Sequence, residues 1–413
     1  MERYALHTRA SSDVSTHTTP SLVIFSGGTA FNETAFELHK WSSRVAYVLP
    51  VSDDGGSTAE IVRVIGGPAL GDIRSRCLRL SNDETREARA VRNLLGHRLH
   101  SEDDQEAKLE WYSIVEGSHA LWEDVGDPYK HTIRAFLVHF QGQILSRDAC
   151  FSFRNGSIGN FFFAGARTFF KSIEAAIFLY ARVSGIPKES RILPAIVTYE
   201  NQYILGCELE NGQVIRGQNE ISHPSTMTSQ VVCKGHEEPL PSPIKRIFYL
   251  STESEHFDTE IYPRINKDVV ESLHKADVIV FGMGSLYTSI CPSLILLGVG
   301  EAIQATHAPK VFLLNGALDR ETGNMTAVDF VLAATNTLNR RHSSLGRRVL
   351  NFAPNEYINV LVYPEGTIID VNVESLLDLG IQTKSLASEM DPKIGVSFSN
   401  VALRDYLLSF PIG

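Results

Sequence analysis

Four consecutive large apolar residues, Leu22-Val23-Ile24-Phe25, run straight into Ser26-Gly27-Gly28. A run that short and that apolar, stopped by glycine, reads as a strand buried on both faces that ends in a tight turn. A helix is expected from about Thr29 to Lys40, with Phe31, Ala35 and Leu38 on one face. A second apolar strand follows at Val45-Ala46-Tyr47-Val48-Leu49. Strand, loop, helix, strand requires a parallel pair joined by a right-handed crossover. The same junction recurs far along the chain, where Val278-Ile279-Val280-Phe281 runs into Gly282-Met283-Gly284-Ser285.

Between the two junctions the pattern changes. From Asp72 to about Val183 it is mostly helical, with apolar spacing near the helical period over 83–99 and 129–145, and an almost unbroken Phe-rich helix over 159–180. Strand signals return at 192–197, 203–209 and 213–216, the last two joined by the hairpin dipeptide Asn211-Gly212. Residues 218–243 read as a surface loop and 247–250 as a strand. A helix at 267–275 precedes the second junction. A strand at 310–314, a helix at 327–339 and strands at 358–363 and 367–371 close the chain. The order predicts a doubly wound α/β protein. It forms a single domain over 21–413 with a mostly helical insert at about 72–184. The polar, Ser/Thr-rich residues 1–20 are expected to be a disordered tail.

Composition excludes some functions. The formal net charge of the 413 residues is −10, which argues against a general nucleic-acid or anionic-membrane surface. A local basic pocket remains compatible with it. The five cysteines, Cys77, Cys150, Cys207, Cys233 and Cys291, form no CxxC pair, and an odd count suits no closed disulfide framework. Free thiols in a reducing, cytoplasmic compartment follow. No apolar stretch approaches the length of a membrane span.

Five stretches carry candidate chemistry. In Ser26-Gly27-Gly28-Thr29-Ala30-Phe31-Asn32, glycines let backbone N–H groups approach an anion, and the following helix adds its positive end. A tight turn with a helix cap is the plainer alternative. Val51-Ser52-Asp53-Asp54-Gly55-Gly56-Ser57-Thr58 follows the next strand, so a parallel sheet puts it on the same carboxyl edge. Two adjacent carboxylates there need a cation, either Mg²⁺ bridging to phosphate or an arginine. Turn chemistry and capping by Ser57 or Thr58 compete with that reading. In Gly66-Gly67-Pro68-Ala69-Leu70-Gly71-Asp72-Ile73-Arg74-Ser75-Arg76, Asp72 reads as a helix N-cap. Arg74, Arg76 and Arg79 offer cations for a phosphate or for the aspartates. Asn155-Gly156-Ser157-Ile158-Gly159-Asn160 opens the Phe-rich helix, whose Phe161, Phe162 and Phe163 read as core. Gly282-Met283-Gly284-Ser285-Leu286-Tyr287-Thr288-Ser289-Ile290 repeats the first loop with four hydroxyls added, and Tyr287 can stack or donate. None of the fourteen histidines shows HExxH or HxH spacing. No nucleophile elbow and no dinucleotide fingerprint is present.

These stretches, in this order, resemble the family that contains 2-phospho-L-lactate transferase and the YvcK-type gluconeogenesis factor. The most specific piece is Ala276 to Pro292, where the family reads Gly-Pro-Gly-Ser-Leu-Tyr-Thr-Ser-Ile and Met283 replaces its proline. Ala30 replaces the family's usual glycine after Gly-Gly-Thr. The Asp-Asp-Gly-Gly-Ser and Gly-Asp-Ile-Arg runs match the YvcK-type branch better. Ser157-Ile158-Gly159-Asn160 is similar to the family's Ser-hydrophobic-Gly-Asn segment. The resemblance implies a Rossmann-like three-layer α/β/α sandwich with a mainly parallel sheet, and a nucleotide diphosphate or nucleotide-sugar ligand. It implies Asp54 and then Asp53 as Mg²⁺ ligands or catalytic groups. Gly27, Gly28, Thr29, Gly284, Ser285, Thr288 and Ser289 then face the ligand, and Asn32, Ser57, Arg74, Asn160 and Tyr287 complete the phosphate- and nucleotide-binding set. Two activities follow, a transferase that moves a phospho-group from a nucleoside diphosphate conjugate, or a non-catalytic regulator that binds a nucleotide sugar. A homodimer is compatible with either.

Overall fold

A computed structural model describes residues 19–53, 55–147, 149–198, 203–223, 239–251, 259–340, 349–392 and 395–412. Residues 1–18, where most of the expected tail falls, and Asp54 lie outside the described residues. Its centre is a seven-stranded, wholly parallel sheet. In chain order its strands are β1 (Leu22–Phe25), β2 (Val45–Leu49), β3 (Arg191–Pro194), β4 (Val278–Phe281), β5 (Lys310–Leu313), β6 (Val360–Pro364) and β7 (Gln382–Leu386). Their spatial order is β3-β2-β1-β4-β5-β6-β7. This is the dinucleotide-fold order extended by one strand, with the direction of winding reversing between β1 and β4. Helices cover both faces of the sheet, as the α/β/α reading requires.

Every residue of β1, β2, β4 and β5 is buried, which is why the first three read as continuous apolar runs and β5 as one after Lys310. The edge strand β7, Gln-Thr-Lys-Ser-Leu, has no fully buried residue and carries no apolar signal. Residues 367–371, expected as the last strand, are not one. Gly366 turns the chain at φ 79°, and the Thr367 hydroxyl lies 3.2 Å from the carbonyls of both Asn315 and Gly316. That ties the segment to the loop after β5 instead of to a sheet. A hairpin, Ser388–Asp391 with Gly395–Phe398, and a helix, Asn400–Leu408, then end the chain.

Among the described residues the stretch between β2 and β3 holds seven long helices, from Gly56–Ile65 and Gly71–Leu80 through Arg86–Gly96, Asp104–Glu116, Asp127–Leu145 and Ile158–Phe170 to Ile173–Val183. The helix expected over 159–180 is therefore two. Lys171 takes a left-handed conformation at φ 52°, and the Ser172 hydroxyl caps the second helix by accepting the Ala175 N–H. Phe161, Phe162 and Phe163 are buried in the core, as expected. Between β3 and β4 lies a four-stranded antiparallel sheet in the order Val214–Arg216, Tyr203–Leu209, Ile244–Ser251, Glu260–Ile261. Its first hairpin turns at Asn211-Gly212, with Gly212 at φ 86°. The segment read as loop from 218 begins with a helix at Gln218–Ser222, and residues 224–238 lie outside the described residues.

Candidate functional site

The two glycine loops leave the carboxyl ends of neighbouring strands. β1 and β4 pair in parallel with Phe25 opposite Phe281, and the Gly282 N–H donates to the Phe25 carbonyl at 2.7 Å. In an open α/β sheet this reversal point is where a crevice for ligands forms. The loops touch. A Cβ on Gly27 would sit 2.7 Å from Ser289 Oγ, and one on Gly284 would sit 3.8 Å from the Ala30 Cβ. Gly284, at φ 146°, needs glycine for its backbone alone. Gly27 and Gly28 are buried, Thr29 and Ala30 are exposed, and Ser285 and Ser289 lie at intermediate depth.

The first loop is held from behind. Arg76 is fully buried, stacks over Tyr47 and Phe31, and donates to Ser26 Oγ at 3.2 Å and to the Gly27 carbonyl at 3.0 Å. Burial pulls its guanidinium down to about 10. Asn32 donates to the Gly28 carbonyl and to Ser75 Oγ, and Ser75 donates to the same carbonyl at 2.7 Å. Asn32 thus staples the loop to the helix that starts at Gly71. That helix begins one residue before Asp72, so Asp72 is not its N-cap. Its carboxylate turns to the loop, and Oδ1 accepts the Gly28 N–H at 2.9 Å. The fit is close, because a Cβ on Gly28 would fall 2.5 Å from the Asp72 Cα.

Asp72 meets a second acid. Its Oδ2 is buried without a partner. Burial, and then the charge of Asp53, push its carboxyl up to about 7. Asp53 lies against the preceding residue, since its Oδ2 blocks the place of a Cβ on Gly71. An orphaned carboxylate oxygen beside a second carboxylate is the donor set that Mg²⁺ takes when phosphate and water supply its remaining ligands. Asp53 and Asp72 therefore fit the ion. Among the described residues no group of three or more His, Cys, Asp or Glu could hold a metal by itself. Asp54, the first-choice ligand from the sequence, lies outside the described residues.

Three further expected residues meet under the acids. Asn160 donates to Ser57 Oγ at 2.9 Å and to Thr58 Oγ1 at 3.3 Å, and accepts from Arg74 Nε at 3.2 Å. All are buried, and burial lowers the Arg74 guanidinium. Ser57 does not cap its helix, whose N-cap is Gly55 with no side-chain bond.

The second loop winds into a π-helical turn, Leu286–Ile290. The backbone donors of Gly284, Tyr287 and Thr288 and the Thr288 hydroxyl are already committed. Glu321 Oε2 accepts the N–H groups of Tyr287 at 3.0 Å and Thr288 at 3.1 Å, and Oε1 takes the Thr288 hydroxyl. Burial, and then Asp319, push the Glu321 carboxyl up to about 8. Asn315 clasps Gly284 from both sides, accepting its N–H at 3.0 Å and donating to its carbonyl at 2.9 Å. Thr288 is thus buried against Glu321, while Ser285 and Gly284 line a cleft of about 1380 Å³. Tyr287 also borders it, its hydroxyl 3.5 Å from the Ile244 carbonyl. The other walls are Ala30, the loop Asn315–Met325 after β5, the Gly395–Phe398 strand and the start of Ile244–Ser251.

Asp72 as a loop and acid partner, Asn315 and Glu321 escaped the sequence reading. One signal was present. β5 also ends in a glycine turn, Leu313-Leu314-Asn315-Gly316, a third copy of the opening junction.

The fold and the site define a class: an α/β protein of dinucleotide-fold strand order with two glycine loops, two close carboxylates and a large cleft at its reversal point. The chain belongs to the 2-phospho-L-lactate transferase CofD family, whose pattern matches residues 22–385. It is 33% identical over 380 residues to a Saccharomyces cerevisiae protein described as "Uncharacterized protein YNL011C", covering 78% of this chain and 83% of that one. It is 24% identical over 314 residues to the gluconeogenesis factor of Halalkalibacterium halodurans, covering 76% of this chain and 72% of that one. Among solved structures, protein BH3568 from Bacillus halodurans superposes with a TM-score of 0.65 at 20% identity, covering 95% of this chain and 100% of that one. That likeness carries the fold alone. No helix among the described residues is long and apolar enough to cross a membrane.

Proposed function

We propose that the chain binds a nucleoside diphosphate conjugate in the cleft at the reversal point and transfers a phospho-group from it, in the manner of 2-phospho-L-lactate transferase. The observation that carries this reading is the contact of two glycine loops from adjacent strands, with Asp53 and Asp72 beside the first loop and the cleft beside the second. The cleft volume exceeds the roughly 300–1,000 Å³ of a small-ligand pocket, which suits a nucleotide joined to a second group.

In this reading the exposed Thr29 and the hydroxyls of Ser285 and Ser289 contact the diphosphate. Asp53, Asp54 and Asp72 would hold Mg²⁺, which would supply neutralising charge to the diphosphate. An acceptor hydroxyl attacks the phosphorus that bears the transferred group. The bond from that phosphorus to the bridging oxygen breaks, and a nucleoside monophosphate leaves with the electron pair. The acceptor's proton passes to Asp53 or Asp54, whichever of the two the ion does not engage. Arg76, Asn315 and Glu321 hold the two loops in place, so the hydroxyls those loops present need little reorganisation as charge develops.

A second reading rests on relatives described as gluconeogenesis factors and on the Asp53-Asp54-Gly55-Gly56-Ser57 run. In it the protein is a non-catalytic regulator that holds a nucleotide sugar in the same cleft. Incubation with Mg²⁺ and a panel of nucleoside diphosphate conjugates, followed for monophosphate release, separates the two. Turnover that Asp54→Ala abolishes supports the transferase, and tight binding without turnover supports the regulator. A ligand at a hundred times its Kd adds about 2.7 kcal/mol of stability. For 413 residues that is roughly 3 °C in Tm. A flat melting temperature across the whole panel refutes nucleotide binding.

A further inference from the structure

Among the described residues, four lysines and arginines line the cleft: Lys245, Arg246, Arg320 and Arg340. Three are neutralised by the protein itself. Lys245 lies 2.7 Å from Glu208, Arg246 is 2.7 Å from Glu208 and 2.8 Å from Glu260, and Arg340 is 2.8 Å from Glu301. Arg320 has no ion pair among the described residues, and its Nε is buried with no hydrogen-bond partner.

Its position is fixed on both sides. Asp319 Oδ1 accepts the N–H groups of Glu321 and Thr322, each at 3.1 Å, and the Thr322 hydroxyl at 2.8 Å. Glu321 grips the Tyr287 and Thr288 N–H groups of the second glycine loop. Arg320 therefore stands between Asp319, whose Oδ1 is engaged by its own turn, and Glu321, both of whose oxygens are engaged by the loop, and neither forms an ion pair with it. A guanidinium with a desolvated, unpaired donor is costly, and a phosphate removes that cost through paired charge-assisted hydrogen bonds. Because the flanking backbone is tied down, little is lost in ordering the turn when a ligand arrives.

We propose that Arg320 is the cation that receives the anionic group of the ligand, a phosphate or diphosphate, on the wall of the cleft that adjoins Gly284 and Ser285. The proposal rests on the nucleotide reading for the identity of the ligand, and on the geometry above for the role of the residue.

Calorimetric titration of wild type, Arg320→Met and Arg320→Lys tests it, using GDP, UDP, inorganic pyrophosphate and uncharged guanosine at constant Mg²⁺. Melting of each unliganded variant checks the fold. Arg320→Met is expected to weaken GDP and pyrophosphate by about tenfold or more and to leave guanosine unchanged. Arg320→Lys, which keeps the charge and loses the fork, is expected to fall between. Its comparison with wild type decides the matter if the Met variant folds poorly. Nucleotide and pyrophosphate affinities that neither substitution changes overturn the role of Arg320 and leave nucleotide binding standing. Pyrophosphate binding that depends on Arg320, without binding of either nucleotide, retains the residue and removes the nucleotide reading. Absence of binding by wild type to both anions overturns both.

Discussion

Asp72→Asn isolates the charge at the heart of the acid pair while keeping an oxygen for the Gly28 N–H. The folded carboxyl stands at about 7 against an ordinary 3.8, chiefly from burial. A raised acid pKa means that the native state binds more protons than the unfolded chain between those values. Stability from this group is thus fully present below pH 3.8 and is lost as the pH rises to 7. Each pH unit between those values removes stability, on the order of 2–3 kcal/mol in all between pH 5 and pH 8. At about 2.1 cal/mol/K per residue, 413 residues convert that to roughly 3 °C in Tm. The amide does not titrate, so Asp72→Asn should lack this component and gain on wild type as the pH rises. Mg²⁺ is expected to reverse the sign, since a cation bound there would favour the ionised pair. It should stabilise wild type at pH 8 and stabilise the variant much less. Melting scans at half-unit pH steps, with and without Mg²⁺, read both effects. Parallel pH profiles for the two proteins would refute the buried, unpaired carboxylate. Equal Mg²⁺ responses would refute its place at the metal.

Gly28→Ala pushes a Cβ against the Asp72 backbone, at 2.5 Å from Cα and 2.9 Å from the carbonyl oxygen, neither of which a rotamer change can move. Overpacking plus a broken buried hydrogen bond should cost about 3–5 kcal/mol, read by denaturant unfolding, whereas Gly56→Ala, with open space at φ 53°, should cost only about 1 kcal/mol. Glu321→Ala leaves two buried N–H groups unpaired and should destabilise by about 2–4 kcal/mol, with faster hydrogen exchange across 284–291. Glu321→Gln can accept those N–H groups through its oxygen and donate to Thr288, so it should recover most of the loss. Gly316→Ala collides with the Val396 carbonyl and should lift the Ser388–Phe398 hairpin from the cleft, seen as faster exchange there and weaker nucleotide binding. An unchanged exchange pattern would show that the hairpin does not rest on Gly316.

The residues alone determined the strands that are buried on both faces. Leu22–Phe25, Val45–Leu49 and Val278–Phe281 could be read to the residue, because a strand with no solvent face needs no partner to show its apolar run. The glycine stop after each, the Asn211-Gly212 hairpin and the helical stretch between β2 and β3 were equally local. Elements that owe their state to neighbours were not legible. β7 is polar because it sits at an edge, and 367–371 are held by the carbonyls of Asn315 and Gly316.

The opening junction and its late repeat could be placed on one edge of the sheet from their order. Only the tertiary structure made them touch, because contact between loops some 250 residues apart depends on where the crossover from β3 delivers β4. The same packing turned Asp72 from a helix cap into a partner of Gly28 and Asp53, and committed Thr288 to Glu321. A carboxylate's partners are set by what the fold brings within 3 Å of it, and no spacing along the chain encodes that distance.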